Sequence, residues 1–136
     1  MAALRRLDAE LRAGAIVQGA TMRMPTVEEM SAYGAPFPGD EYLVGPRTMP
    51  AIVPSTPDDP SSEPNRRAWD VLTSWEKPCL TLFSDGDPIT AGGDRVFQKV
   101  VPGAAGQPHQ TIVGAGHFLQ EDAPEQLSRA LIDWMA

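Results

Sequence analysis

Two short apolar runs, each ending in a tight turn that carries a titratable side chain, set the limits on how this chain can fold. The first, Pro78-Cys-Leu-Thr-Leu-Phe-Ser84, breaks at Asp85-Gly-Asp87-Pro88; the second, Thr111-Ile-Val113, ends in Gly114-Ala-Gly-His117-Phe-Leu. Short runs of β-branched and large apolar residues bounded by turn residues favour strands. Between them Gly92-Gly93-Asp94 opens a helical passage with Val96, Phe97 and Val100 facing inward, ended by Pro102-Gly103. Strand, helix and strand in that order predict one parallel βαβ crossover, because parallel strands cannot be joined by a hairpin. Asp87 and His117 then fall at the carboxyl ends of neighbouring strands, where open α/β sheets carry their sites.

The flanking segments read as helices around a proline-rich stretch. Leu4, Leu7, Leu11 and Ala15 recur at helical spacing, weakened by Gly14 and Gly19. Thr26-Val-Glu-Glu29 is a capping box that starts a short helix through Tyr33. Prolines at 36, 38, 46, 50, 54, 57 and 60 exclude a regular helix or central strand there. Phe37, Tyr42, Leu43, Met49, Ile52 and Val53 in the same stretch predict an ordered loop with short turns rather than a linker. Ser62 is expected to cap a helix with Pro64 in its first turn and Ala68, Val71, Leu72 and Trp75 as its apolar stripe. A last helix is expected from Asp122 to Trp134, burying Leu127, Ala130, Leu131 and Trp134.

Composition narrows the function classes. The 136 residues, 42% of them hydrophobic, suffice for one domain with a core. A net charge of −7 argues against nucleic acid and against an anionic membrane surface as partners. No apolar run approaches the ~20 residues of a membrane span. The first residues lack the apolar core and cleavage site of a secretory leader, so the cytoplasm is the expected location. Cys79 is the single cysteine and is expected to be a small buried side chain. Two histidines, one cysteine and scattered carboxylates show no metal-ligand spacing, and no glycine-rich phosphate loop is present. No metal site is therefore expected.

His117 is the strongest candidate for chemistry, because Gly114, Ala115 and Gly116 let the backbone turn tightly and bring the imidazole clear of the strand. His109 lies in a loop beside Pro108 and is expected to be solvated. Asp87 competes with Asp85 as its acidic partner. Asp87 is preferred because Pro88 holds it extended and because it lies further beyond the strand end. Acid and base of this kind serve a nucleophile on a strand-to-helix elbow. No Gly-x-Ser-x-Gly or aspartate equivalent precedes Asp87.

Four strings carry a family resemblance: Ser31-Ala-Tyr-Gly-Ala-Pro-Phe-Pro38, Gly45-Pro-Arg-Thr-Met-Pro50, Phe83-Ser-Asp-Gly-Asp-Pro-Ile89 and Gly116-His-Phe-Leu-Gln-Glu-Asp122. From about Met24 onward the chain resembles the C-terminal portion of haloalkane dehalogenases, which are α/β-hydrolases. The resemblance implies an α/β chain with a partial α/β-hydrolase fold. Residues 1–60 would be cap material, and residues 61–136 the C-terminal part of the core with the last two parallel strands. It implies hydrolysis of a small apolar halogenated substrate by water, through an alkyl-enzyme ester, without a cofactor. His117 matches the base and Asp87 its supporting acid, while Met49, Pro50, Val53, Ile89 and Phe118 match substrate-pocket positions. The nucleophile strand, its adjoining halide-binding tryptophan and the oxyanion-hole loop have no counterpart here, and no tryptophan stands near Thr21. The chain by itself is expected to be inactive. An epoxide hydrolase or esterase parent, or a non-catalytic protein binding small ligands or a partner, are the alternative readings.

Overall fold

Capping, proline placement and two ladder-forming runs account for most of the local structure. A computed structural model describes residues 13–136. The leucine stripe predicted at positions 4, 7 and 11 lies outside the described residues. The chain divides into two compact units, one gathering residues 13–17 with Thr26–Asp70, the other Gln18–Pro25 with Val71–Ala136.

In the first unit, helix α1 (Ala13–Ala20) begins and runs through Gly14 rather than stopping at it. A Cβ at Gly14 would lie 2.4 Å from the Met30 carbonyl oxygen, so the missing side chain permits the close approach of helix α2 (Val27–Gly34). The Thr26 capping box is complete. Thr26 Oγ1 accepts from Glu29 N at 3.2 Å, and Glu29 Oε2 accepts from Thr26 N at 2.7 Å. The proline-rich stretch folds into successive short turns: a 3-10 turn at Asp40–Leu43, helix α3 (Val44–Thr48) and a second 3-10 turn at Met49–Ile52. Pro46 is accommodated because it sits in the first turn of α3, where an N–H would have no intrahelical partner. Helix α4 spans Ser62–Leu72. Ser62 lies inside it, and its hydroxyl donates to Thr56 O at 2.7 Å instead of capping. The predicted stripe is largely open: Ala68, Val71 and Trp75 are exposed and Leu72 half-buried.

The second unit holds the sheet. Strands β1 (Leu82–Ser84) and β2 (Gln110–Ile112) pair in parallel, with Leu82, Phe83 and Ser84 opposite Gln110, Thr111 and Ile112. The first strand is shorter than its apolar run, because the Cys79 and Thr81 amides bond outside the ladder. Cys79 N donates to Gly103 O at 3.0 Å and Thr81 N to the His109 ring at 3.1 Å. Cys79 is accordingly half-buried. The crossover passes through helix α5 (Gly93–Val100), entered at Gly92 with a positive φ of 85°, and then a 3-10 turn at Pro102–Ala104. Val101, Ala104, Ile112, Ala115 and Ala130 form the buried centre. Phe97 and Val100 are half-buried, whereas Val96 is exposed.

The single predicted last helix is two, α6 (Leu119–Asp122) and α7 (Pro124–Met135). Pro124 forces the residue before it out of the helical region, and Ala123 sits at φ −139°, ψ 54°. Ala130 is buried, Leu127 and Trp134 half-buried and Leu131 exposed. Among the described residues no helix is long and apolar enough to cross a membrane.

Gly103 has the least room for a side chain of any glycine in this unit, since a Cβ there would meet the Lys77 carbonyl oxygen at 1.9 Å. Gly103→Ala is expected to destabilise the chain by about 2 kcal/mol through overpacking against fixed backbone. Nothing lies within 4 Å of the Cβ position of Gly19 in α1. Gly19→Ala is expected instead to stabilise by about 0.5 kcal/mol through helix propensity. Urea denaturation followed by far-ultraviolet circular dichroism checks the opposite signs.

Candidate active site

Strand β1 delivers its carboxylates through the turn that follows it. Asp85 N donates to Ile112 O at 3.2 Å, extending the parallel pairing by one bond past Ser84. Asp87 then closes an Asx-type turn before α5. Its Oδ1 accepts from Ile89 N at 2.8 Å, and its Oδ2 accepts from Thr90 N at 3.3 Å and from the Thr90 hydroxyl. Pro88, which has no N–H, stands between acceptor and donors. Asp87 as a whole residue is buried, yet every hydrogen-bond partner of its carboxylate is a donor.

Strand β2 delivers His117 through Gly114–Gly116, whose backbone is held on both sides. Asp85 Oδ1 accepts from Gly114 N at 2.8 Å and from Ala115 N at 3.4 Å. Ala115 O accepts from Gly86 N at 3.0 Å, and Gly116 O from the Ser84 hydroxyl at 2.7 Å. Gly116 N donates to Asp122 Oδ2 at 2.7 Å, and Phe118 N to Ala20 O at 3.2 Å. Gly114 takes a positive φ of 76°. At Gly116 a Cβ would lie 2.6 Å from Ala20 O, so glycine is required by proximity rather than by dihedral angle.

These two turns bring His117 Nδ1 to 3.0 Å from Asp87 Oδ2. Burial acts to raise the Asp87 carboxyl. The Thr90 hydroxyl, the His117 hydrogen bond, the Ile89 N–H and the histidine charge outweigh it and bring the pKa down to about 2. An ionised carboxylate can only accept, so Nδ1 carries the proton and Nε2 of the neutral ring keeps its lone pair. The imidazole side chain is 32% exposed against 6% for Asp87. Acid buried and base reachable is the arrangement of a general base with an orienting partner.

Asp85, the rival for that partnership, is spent on the loop amides. His109 is not solvated as expected. Its Nδ1 accepts from Thr81 N at 3.1 Å and its Nε2 donates to Ala104 O at 2.8 Å, fastening the start of β1 to the 3-10 turn. Of the five pocket candidates, Ile89 and Phe118 lie beside the pair. Ile89 N binds Asp87, and the Phe118 ring meets the His117 ring edge-on at 5.2 Å. Met49, Pro50 and Val53 belong to the other unit, around the second 3-10 turn, with Met49 and Val53 exposed. Three participants were not anticipated, Thr90, Ser84 and Asp122. Asp122 also accepts from Met22 N and Arg23 N, both at 2.9 Å. Only the Ser84 position, at the strand end facing the turn, left a readable signal. Among the described residues no cluster of three His, Cys, Asp or Glu side chains could hold a metal ion.

Parallel strands that carry an acid and a histidine at their carboxyl ends are the pattern of the α/β-hydrolase class, and sequence similarity narrows the class to a family. The chain is 52% identical over 122 residues to a haloalkane dehalogenase of Psychrobacter cryohalolentis, covering 86% of this chain and 40% of that protein. It is 44% identical over 132 residues to a haloalkane dehalogenase of Mycobacterium marinum, and 41% identical over the same length to haloalkane dehalogenase 1 of Mycobacterium tuberculosis. Each of those matches covers 97% of this chain and 44% of the relative. The chain belongs to the haloalkane dehalogenase family and spans about two-fifths of the length of the curated relatives it matches. No protein-family model matches it.

The depressed Asp87 pKa fixes the sign of one pH dependence. A carboxyl held near 2 when folded and near 3.8 when unfolded stabilises the fold fully above 3.8. That contribution is lost as pH falls toward 2. Between pH 5 and pH 2 the urea midpoint of the unsubstituted chain is expected to fall more steeply than that of Asp87→Asn. A residual slope persists in the variant, because the Asp59 and Asp122 carboxyls are also held low. Parallel pH profiles for the two proteins contradict the assignment.

Proposed function

We propose that His117 and Asp87 are the base and orienting acid of a haloalkane-dehalogenase-type hydrolase, with the nucleophile supplied from outside these 136 residues. The observation that carries this reading is the 3.0 Å contact between His117 Nδ1 and a buried, ionised Asp87. The 41–52% identity to proteins named haloalkane dehalogenase supports the choice of reaction.

In this reading a carboxylate displaces halide from an alkyl carbon and leaves an alkyl ester on the enzyme. His117 Nε2 takes a proton from water as the water oxygen attacks the ester carbonyl carbon. The acyl C–O bond of the ester breaks, the alkoxide leaves with the proton held by His117, and the nucleophilic carboxylate is restored as the second water proton passes to solvent. Asp87 holds the ring in the Nδ1–H tautomer and stabilises the imidazolium formed on the way. Residues 1–60 act as cap and 61–136 as core. Met49, Pro50, Val53, Ile89 and Phe118 are the substrate-contacting candidates that the family resemblance supports for a small apolar halogenated substrate, no cofactor takes part, and the site of action is the cytoplasm.

The test joins this chain behind the part of the Psychrobacter cryohalolentis relative that it does not cover, and follows halide release from a short bromoalkane. Sustained turnover is expected from the joined protein and none from the 136 residues alone. In the joined protein His117→Phe is expected to release about one halide per molecule and then stop, because the ester forms and is not resolved. Sustained turnover by that variant contradicts the base assignment.

A further inference from the structure

We propose that Asp122 is a positioning residue for His117: it joins the backbone of residues 22–23 to Gly116 and thereby holds the imidazole against Asp87. The proposal rests on the reading of His117 as the base, although its test does not. Asp122 Oδ2 accepts from Gly116 N at 2.7 Å and from Met22 N at 2.9 Å, and Oδ1 accepts from Arg23 N at 2.9 Å. Three peptide donors on one carboxylate form a rigid junction, since each charge-assisted bond is stronger than a neutral one.

The junction is reinforced on every side. Arg23 Nε donates to Glu121 O at 2.6 Å, and its guanidinium meets Glu121 Oε2 at 3.2 Å. Phe118 N donates to Ala20 O, so residues 20–23 grip the loop both before and after His117. The Cβ-free Gly116 and Gly86 allow it. A Cβ at Gly116 would strike Ala20 O at 2.6 Å, and one at Gly86 would strike the Met22 sulfur at 2.5 Å. On the opposite side the Ser84 hydroxyl holds Gly116 O at 2.7 Å. Gly116, the residue immediately before His117, is therefore clamped at its N–H by Asp122 and at its carbonyl from β1. Removing the Asp122 carboxylate frees Gly116 N together with the amides of Met22 and Arg23, and lets the ring swing off Asp87 while the sheet stays paired.

The readout is the exchange with water of the His117 Nδ1 proton in the 136-residue chain, observed by proton NMR and identified by its disappearance in Asp87→Asn. The Asp85 amide, which donates to Ile112 O across the strand pair, serves as the internal reference. Asp122→Ala removes all three bonds and is expected to speed Nδ1–H exchange about tenfold relative to the Asp85 amide, the share that falls on Gly116 being read as local opening. Asp122→Asn, which keeps one acceptor oxygen, is expected to fall between. Equal acceleration of both protons, as a merely structural role gives, overturns the proposal, and so does no change in either. Absence of an Asp87-dependent Nδ1 proton in the unsubstituted chain overturns it as well. Turnover by the His117→Phe joined protein bears on the base assignment alone and leaves this exchange result standing.

Discussion

An imidazole carried on a loop can act as a base only if the peptide groups of that loop are themselves held, and residues 114–116 offer no large side chain to hold them by. Of Gly114, Ala115 and Gly116 only Ala115 buries a side chain, a single methyl group, so hydrophobic packing alone cannot fix their position. Hydrogen bonds do it instead. Asp85 takes the N–H groups of Gly114 and Ala115, Gly86 binds Ala115 O, Ser84 binds Gly116 O, and Asp122 takes Gly116 N. Leaving any one of these groups unmet in a partly buried turn costs about 1–3 kcal/mol. The small residues are needed twice over, for the turn and for the closeness of the neighbouring chain.

Three aspartates crowd one end of the sheet without repelling the site apart, because each is met by hydrogen-bond donors. Asp85 and Asp122 are neutralised in effect by peptide dipoles, and Asp87 by the Ile89 and Thr90 donors together with His117. Because Asp87 stays ionised, it dictates the proton position on His117. The same chain holds the opposite case in His109, where a peptide N–H from Thr81 forces Nδ1 to accept and Nε2 to donate to Ala104 O. One histidine is locked at both nitrogens. The other presents Nε2 with its lone pair.

How far the sequence discloses this depends on the separation of the partners. The Thr26 capping box was legible because donor and acceptor are three residues apart, and the parallel crossover because helix and strands follow in order. The choice of Asp87 over Asp85 rested on Pro88 and on distance past the strand, both local. Asp122 was not legible, since two of its donors lie about a hundred residues earlier and it read as the start of a helix. His109 was misread for the same reason, its partner Thr81 being 28 residues away. The expected burial of Ala68, Val71, Trp75 and Val96 followed from helical spacing alone. Spacing identifies an apolar face without saying what covers it.

The central claim is that an ionised Asp87, held in place by the turn beyond β1, fixes the proton of His117 on Nδ1. A long-range nitrogen–proton correlation spectrum of the histidine rings in alkaline solution tests it most directly, because the chain contains only two histidines. The account expects opposite tautomers in one spectrum, Nδ1–H for His117 and Nε2–H for His109. Two Nε2–H rings, or a His117 ring averaging freely between both forms, contradict it.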